Sequence, residues 1–167
     1  MGETIKTCSV CGKEHPASAL ELSFKRPDII AEMTEEERAE RCRNNDDIYI
    51  IEDQGRYFIR GLVALPVPEK NDNYCIGIWA EVEKEAFHRI WDLWDDENQY
   101  KEPPMKGILA NDIPSHSNTN GLKIQIKLSD PSTRPFYEVT DQSHFLYKEQ
   151  KEGISAHRAY EYSEFIS

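Results

Sequence analysis

Apolar and polar residues alternate along several stretches of the chain. The clearest stretch is residues 122–128, where leucine and isoleucine alternate with Lys123, Gln125 and Lys127. A period of two predicts a strand with one buried face and one solvated face. Runs of β-branched and aromatic residues predict three further strands, at residues 48–51, 57–65 and 74–82.

The pattern changes to a helical period between positions 83 and 96. Phe87, Ile90, Trp91 and Trp94 recur there at the spacing of one face of an α-helix. This spacing predicts a helix over residues 83–96 that packs three large aromatic side chains against the sheet.

Capping residues mark two further helices. Thr34 and Glu37 have the spacing of a capping box, which predicts a short, mostly solvated helix after Thr34. Near the C-terminus, Gly153 separates two short helical segments, and Ser155 is the expected N-cap of the second.

Together these elements predict an α+β fold. Runs of strands with intervening helices lack the regular alternation of a doubly wound sheet, and the polar residues 53–55 mark a hairpin turn between the first two strands. The length of 167 residues suits one domain. We therefore predict a single domain over residues 1–167, an antiparallel sheet with helices packed on it, in which residues 1–20 form an N-terminal Cys-x-x-Cys knuckle.

The chain is strongly acidic, with a formal net charge of −11. Such a charge repels nucleic acid and anionic membranes, and basic residues such as Arg38, Arg41 and Arg43 are interleaved with glutamates. No stretch approaches the roughly 20 apolar residues of a membrane span, and the first residues lack the apolar core of a signal peptide. We expect a cytoplasmic protein that binds neither nucleic acid nor membrane.

The segment TCSVCGKEH, residues 7–15, carries the most specific chemistry in the sequence. Cys8 and Cys11 have the spacing at which a single turn directs two thiolates to one zinc ion. Gly12 suits such a turn because it adopts a positive φ at low cost. His15 is close enough in sequence to supply a third ligand. We therefore predict a structural Zn²⁺ bound by Cys8, Cys11 and His15.

Two alternatives to zinc stay open for the knuckle. One is a redox or unoccupied dithiol, although the residues before Cys8 are too few for a thioredoxin-like context. The other is burial of both cysteines as small apolar residues. The sequence has no second Cys-x-x-Cys pair, so the fourth zinc ligand is left among Cys42, His116, His144, His157 and the acidic residues.

Six segments in order make the chain similar to a known family: CSVCGKEH, YFIRGLVALPV, IGIWAEV, LKIQIKL, RPFYEV and SHFLYKEQKEGIS. Over nearly its whole length the chain resembles an uncharacterised bacterial family, the domain of unknown function 2199. That family has no assigned activity, so the resemblance implies one domain and the knuckle but no reaction. The family pattern falls on Cys8, Cys11, Gly12, His15, Arg60, Gly61, Trp79, Arg134, Pro135, His144, Gln150 and Gly153.

Arg60, Arg134, His144 and Gln150 are polar members of that pattern outside the knuckle. They come from separate predicted strands and a helix, and a pocket that joined them would accept an anion, because an arginine binds a carboxylate through two hydrogen bonds. The alternative is that each arginine pairs with one of the chain's 31 acidic residues.

Three functions are consistent with the sequence, and whether the protein is an enzyme stays open. The first is a cytoplasmic domain that binds an unknown protein or small molecule and is stabilised by the zinc knuckle. The second is an enzyme with a pocket around His144, Arg60 and Arg134, which close approach of these side chains would favour. The third is an acidic, immunity-like protein that masks a basic partner.

The Cys8→Ser/Cys11→Ser variant tests the zinc site. We expect the wild-type protein, purified without metal-affinity resin, to carry about one equivalent of zinc by elemental analysis, and the variant to carry none. Because the core lies elsewhere, metal loss should loosen residues 1–20 and leave the sheet folded. Less than about a tenth of an equivalent in the wild type would leave a free dithiol in place of the site.

Overall fold

Seven strands form the main sheet, and each pairs in antiparallel fashion with the next along the chain. The computed structural model describes residues 21–116 and 118–166 in full, together with the backbone of a two-stranded ladder between β1 (Ile5–Thr7) and β2 (Glu14–Pro16). The main sheet consists of β3 (Cys42–Asn44), β4 (Ile48–Ile51), β5 (Arg56–Val67), β6 (Asp72–Val82), β7 (Met105–Leu109), β8 (Lys123–Lys127) and β9 (Phe136–Val139).

The prediction of a simple antiparallel sheet is wrong in one respect. The last strand, β9, returns to pair in parallel with β5, where Leu62 is opposite Phe136 and the Leu62 amide donates to the Pro135 carbonyl at 2.9 Å. The five strands β5 to β9 therefore close into a mixed barrel. The strands β3 and β4 extend the sheet beyond it. The four predicted strands and the hairpin turn are confirmed.

A glycine and a tyrosine make this closure sterically possible. A Cβ atom at Gly61 would lie 2.3 Å from Cζ of Tyr137, so the buried tyrosine ring occupies the space that any other side chain at position 61 would need. The Tyr137 hydroxyl then donates a hydrogen bond to the Ile59 carbonyl at 2.6 Å. Because Gly61 and Ile59 are both on β5, the contact attaches β9 to the middle of the longest strand.

The two faces of the β5–β6 hairpin enter different cores. Ile76, Ile78 and Ala80 of β6 alternate with outward residues and pack inside the barrel. Trp79 points the other way, into a smaller core that includes Phe58 and residues of the segment before β3. Its indole Nε1 donates to the carbonyl of Phe24 at 2.9 Å. The segment before β3, through Phe24, Ile30 and Met33, is therefore bound to the outside of the barrel.

Five α-helices lie within the described residues, and the predicted caps are confirmed. The Thr34 hydroxyl accepts from the Glu37 amide in a complete capping box, and the helix that follows has no buried residue. The Ser155 hydroxyl accepts from the Arg158 amide at 3.0 Å. The helices are α1 (Asp28–Ala31), α2 (Glu35–Arg41), α3 (Lys84–Asp92), α4 (Phe145–Glu152) and α5 (Ala156–Ser163).

The helix predicted over residues 83–96 is shorter than expected, because α3 ends at Asp92. Phe87 and Ile90 are buried as predicted, and Trp94 packs partly against the barrel core. Trp91 was predicted to face the sheet, but 44% of it is exposed. With the helix ending directly after it, Trp91 packs on Trp94 instead, at 5.8 Å between ring centroids.

The Gly61→Ala substitution tests the closure. The added methyl group must displace the buried Tyr137 ring, so we expect the free energy of unfolding in urea to fall by about 1–3 kcal/mol. In Gly61→Ala/Tyr137→Leu, the smaller leucine leaves room for the added methyl group. The loss of unfolding free energy in this double variant should therefore be smaller than the sum of the losses in the two single variants. Wild-type stability in Gly61→Ala would contradict the closure.

Candidate functional site

Arg60 and Arg134 lie on the same side of the molecule, close to Asp47. The Arg134 Nε donates to Asp47 Oδ1 at 3.0 Å. The Arg60 guanidinium donates to Ser23 Oγ at 2.9 Å and lies over the Trp79 ring, and its buried Nε has no hydrogen-bond partner among the described residues. Burial and the positive charge of Arg134 lower the pKa of Arg60. The two arginines are neighbours, and one of them has a carboxylate partner.

His144 precedes α4 as its N-cap and Gln150 lies within the helix, and both side chains form hydrogen bonds with backbone groups. His144 is the N-cap of the helix, and its Nδ1 accepts from the Leu146 amide at 3.0 Å. The Gln150 side chain accepts from the Val139 amide at 2.8 Å and donates to the Tyr137 carbonyl at 2.9 Å. In β9, Phe136 pairs with β5, and the residues after it do not. The side-chain amide of Gln150 forms hydrogen bonds with the backbone of those later residues, in the way that a neighbouring strand would.

Three of the four predicted pocket residues line three different grooves. Arg134 lines a groove of about 360 Å³, His144 one of about 650 Å³ and Gln150 one of about 570 Å³. The described contacts bring Arg60 and Arg134 together and place His144 and Gln150 on another element. In the described part of the chain, Arg134, His144 and Gln150 therefore line separate grooves, and Arg134 has the carboxylate partner that the alternative expected.

The predicted zinc ligands fall largely outside the described part of the chain. Cys8 and Cys11 lie outside the described residues, and His15 is described through its backbone, which pairs with Lys6 in the β1–β2 ladder. Elsewhere, residues 21–116 and 118–166 contain no group of three His, Cys, Asp or Glu side chains that could hold a metal ion.

A buried polar cluster that the sequence did not indicate joins α4, α5 and the loop before β8. Glu149 is 5% exposed, and its carboxylate accepts from Arg158 Nε at 2.8 Å and from the Tyr162 hydroxyl at 2.5 Å. His116 Nε2 lies 2.8 Å from Glu149 Oε1 and 2.6 Å from the Tyr162 oxygen. A second nitrogen of Arg158 donates to Ser115 Oγ at 3.0 Å. Each of these polar side chains thus has a hydrogen-bond partner within the group, which we call the Glu149 cluster.

The Glu149 cluster holds a negative charge in the protein interior. Burial alone would raise the pKa of Glu149, but the hydrogen bonds from His116, Arg158 and Tyr162 outweigh it and lower the pKa from 4.5 to about 2. Burial and the hydrogen bond to Glu149 raise the pKa of Tyr162 above its ordinary value. Because the carboxylate is ionised and hydrogen-bonded, the cluster fixes α5 and residues 115–116 against α4.

A larger groove, of about 770 Å³, opens where β6 gives way to α3. Val82 and Ile124, both buried, contribute to its floor. Gly107 of β7 has no side chain at this corner, and a Cβ atom there would lie 3.2–3.3 Å from Glu81 and Val82. The lining residues are Gly55, Glu81, Val82, Glu83, Lys84, Ala86, Lys106, Gly107, Ile108, Lys123, Ile124, Gln125 and Thr140.

Positive charge dominates the rim of this lysine groove. Lys84, Lys106 and Lys123 are exposed, and within the described residues none of them forms an ion pair. Of the two lining carboxylates, Glu81 is bound by Arg56 through two hydrogen bonds of 2.7 and 2.8 Å. The groove is a basic region in a chain of net charge −11.

Comparison with known proteins gives a family match over residues 7–154, to a model described as an uncharacterized protein conserved in bacteria (DUF2199). The chain belongs to this family. No curated protein and no solved structure matches it. The family carries no assigned function, so the activity of this DUF2199 member must be inferred from its own residues.

In the described part of this DUF2199 chain, no helix has the length and apolar character needed to cross a membrane.

The Glu149→Gln substitution tests the electrostatics of the Glu149 cluster. A carboxylate whose pKa falls from 4.5 to about 2 on folding stabilises the protein above pH 4.5, and this stabilisation, of order 3 kcal/mol, is lost as the pH falls from 4.5 to 2. We expect Glu149→Gln to be destabilised at pH 7 and to lose much of that acid dependence, measured by urea unfolding between pH 3 and pH 7.

The exposed Glu152 of the same helix provides the control. Glu152→Gln should follow the wild-type pH profile. An unchanged profile in Glu149→Gln would mean that the cluster does not hold the charge.

Proposed function

We propose that the protein is a ligand-binding domain that takes a small amphipathic anion into the lysine groove. The observation that carries this proposal is the gathering of Lys84, Lys106 and Lys123 around one concave, partly apolar surface in a strongly acidic chain. Lys84, Lys106 and Lys123 form no ion pair among the described residues, and three such lysines around one groove favour a ligand that brings its own negative charge.

The size and floor of the groove support a ligand with an apolar part. Small-molecule sites commonly enclose about 300–1,000 Å³ and combine apolar walls with a few polar groups. Val82, Ala86 and Ile124 supply apolar surface, and Gln125 and Thr140 supply polar groups. The apolar portion of a ligand would cover the floor while its anionic group reached the lysines at the rim.

The N-terminal end of α3 also favours a negatively charged ligand. The N-cap residue Glu83 makes no side-chain hydrogen bond to the first turn, and Lys84, Glu83 and Ala86 all line the groove. The first amides of a helix carry partial positive charge and attract anions. In the groove, this partial charge adds to that of the lysines.

Binding is favoured over chemistry by the residues present. Among the described residues that line the lysine groove there is no Cys, Ser or His, and the Thr140 hydroxyl donates to the Lys123 carbonyl at 3.2 Å. The alternative enzyme pocket requires Arg134 and His144 in one cleft, and these residues line separate grooves.

The structural zinc stays part of the proposal. Its support is the Cys-x-x-Cys spacing, together with the β1–β2 ladder, which pairs Thr7, next to Cys8, with Glu14, next to His15. Bound there, zinc would stabilise the N-terminal segment, and Cys8, Cys11 and His15 would hold it.

Isothermal titration calorimetry with hexyl phosphate tests the groove at physiological ionic strength. We expect hexyl phosphate to bind more tightly than either inorganic phosphate or hexanol, because it combines charge with an apolar tail. In Lys84→Gln/Lys106→Gln/Lys123→Gln its Kd should rise by at least about tenfold.

The control variant Lys25→Gln/Lys70→Gln/Lys148→Gln removes the same charge from exposed lysines elsewhere. Its Kd should stay within about twofold of the wild type. An equal loss of affinity in both variants would show that binding depends on the net charge of the protein and not on the groove. No binding at millimolar hexyl phosphate would also refute the proposal.

A further inference from the structure

Two aromatic residues are exposed on the surface at the end of α3. Trp91 is 44% exposed and Tyr100 is 59% exposed. The Trp91 ring lies 5.8 Å from that of Trp94, with an angle of 32° between the two planes. Large aromatic rings gain substantially from burial, so an exposed group of them is typical of a contact surface.

Four carboxylates occupy the same short segment. All four are exposed: Asp92 is the last residue of α3, and Asp95, Asp96 and Glu97 follow shortly after it. That end of a helix carries partial negative charge and is stabilised by basic residues rather than acidic ones. These residues therefore do not serve the stability of the helix, and we define them, with Trp91, Trp94 and Tyr100, as the acidic aromatic surface.

The neighbouring basic groups make their closest contacts elsewhere, although the charge of Arg89 also acts on Asp92 and Asp96. Arg89 donates two hydrogen bonds of 2.8 Å to Glu102, and Lys101 lies over the Tyr100 ring at 5.9 Å. Across residues 21–116 and 118–166, none of the four carboxylates forms an ion pair with a protein side chain. The four carboxylates therefore have room for an ion pair with a group from outside the described fold.

The backbone of the surface is held in place. Gln99 is buried, and its side-chain amide donates to the carbonyls of Leu93 and Trp94, each at 3.0 Å. Asp96 accepts from the Asn98 amide at 2.8 Å, which closes the turn after the helix. A surface fixed before binding loses less conformational entropy when a partner docks.

We propose that the acidic aromatic surface docks an arginine-containing basic segment of a partner protein. A guanidinium stacks on tryptophan and tyrosine rings and can also bond a carboxylate through two parallel hydrogen bonds, so it matches both features of the surface. A second copy of this chain is a poor occupant, because two molecules of net charge −11 repel each other. This docking is separate from the lysine groove, which is at the opposite end of α3 and attracts the opposite charge.

The test uses the full chain and two synthetic peptides, four Arg-Gly repeats and four Lys-Gly repeats, with blocked termini, at physiological ionic strength. We expect the arginine peptide to bind with a change in tryptophan fluorescence and more tightly than the lysine peptide. Its Kd should rise by at least about tenfold in Trp91→Ala and in Asp92→Asn/Asp95→Asn/Asp96→Asn.

A matched variant separates the surface from net charge. Glu32→Gln/Glu36→Gln/Glu40→Gln removes the same number of exposed charges around α1 and α2, and should keep the wild-type Kd within about twofold. Circular dichroism should show all variants folded, since every substituted side chain is exposed.

Four outcomes would overturn the proposal. They are no binding of the arginine peptide, equal binding of the lysine peptide, an equal loss of affinity in the matched variant, or wild-type affinity in Trp91→Ala. Sedimentation analysis provides a further check, because a wild-type dimer that Trp91→Ala converts to monomer would make the surface an interface between copies of the chain.

Discussion

The contact between Gly61 and the Tyr137 ring is the constraint on which the rest of the structure depends. The space above Gly61 admits the ring, the ring brings its hydroxyl to the Ile59 carbonyl, and β9 is thereby held beside β5. Closure of the barrel fixes β9, and Gln150 fixes α4 to β9. The Glu149 cluster then binds α5 and residues 115–116 to α4. Because Gly61 has no side chain, the Tyr137 ring fits above it, and the positions of α4 and α5 depend on that contact.

Charge is distributed unevenly over this scaffold. The chain is acidic overall, yet its lysine groove is basic, because Glu81 is engaged by Arg56 while Lys84, Lys106 and Lys123 have no carboxylate partner in the described fold. At the other end of α3, about 13 Å away for a nine-residue helix, the four carboxylates of the acidic aromatic surface likewise form no ion pair within the described part of the chain. Unpaired charge of opposite sign at the two ends of one helix is more consistent with two binding surfaces than with a requirement of folding.

Local features of the fold could be predicted from the sequence, and long-range ones could not. The capping box at Thr34, the N-cap at Ser155 and the alternation before Lys127 depend on neighbouring residues, and each prediction is confirmed. The parallel pairing of Leu62 with Phe136 joins distant segments and leaves no periodic signal. The Glu149 cluster was missed because Glu149 and Arg158 resemble ordinary helix-surface residues in sequence. Trp91 shares the helical spacing of Phe87 and Ile90 and was therefore predicted to face the sheet, but spacing alone does not show which edge of that face the sheet covers, and Trp91 is 44% exposed.

Hydrogen exchange of the Leu62 amide in the native protein tests the closure of the barrel most directly. This amide donates to the Pro135 carbonyl across the junction of β5 and β9, so it is protected only if the barrel is closed. We predict that it exchanges within about tenfold of the rate of the amides that join β5 to β6, because all of them open in global unfolding. Exchange several orders of magnitude faster than those amides, as at the free edge of a sheet, would show that β9 does not close the barrel.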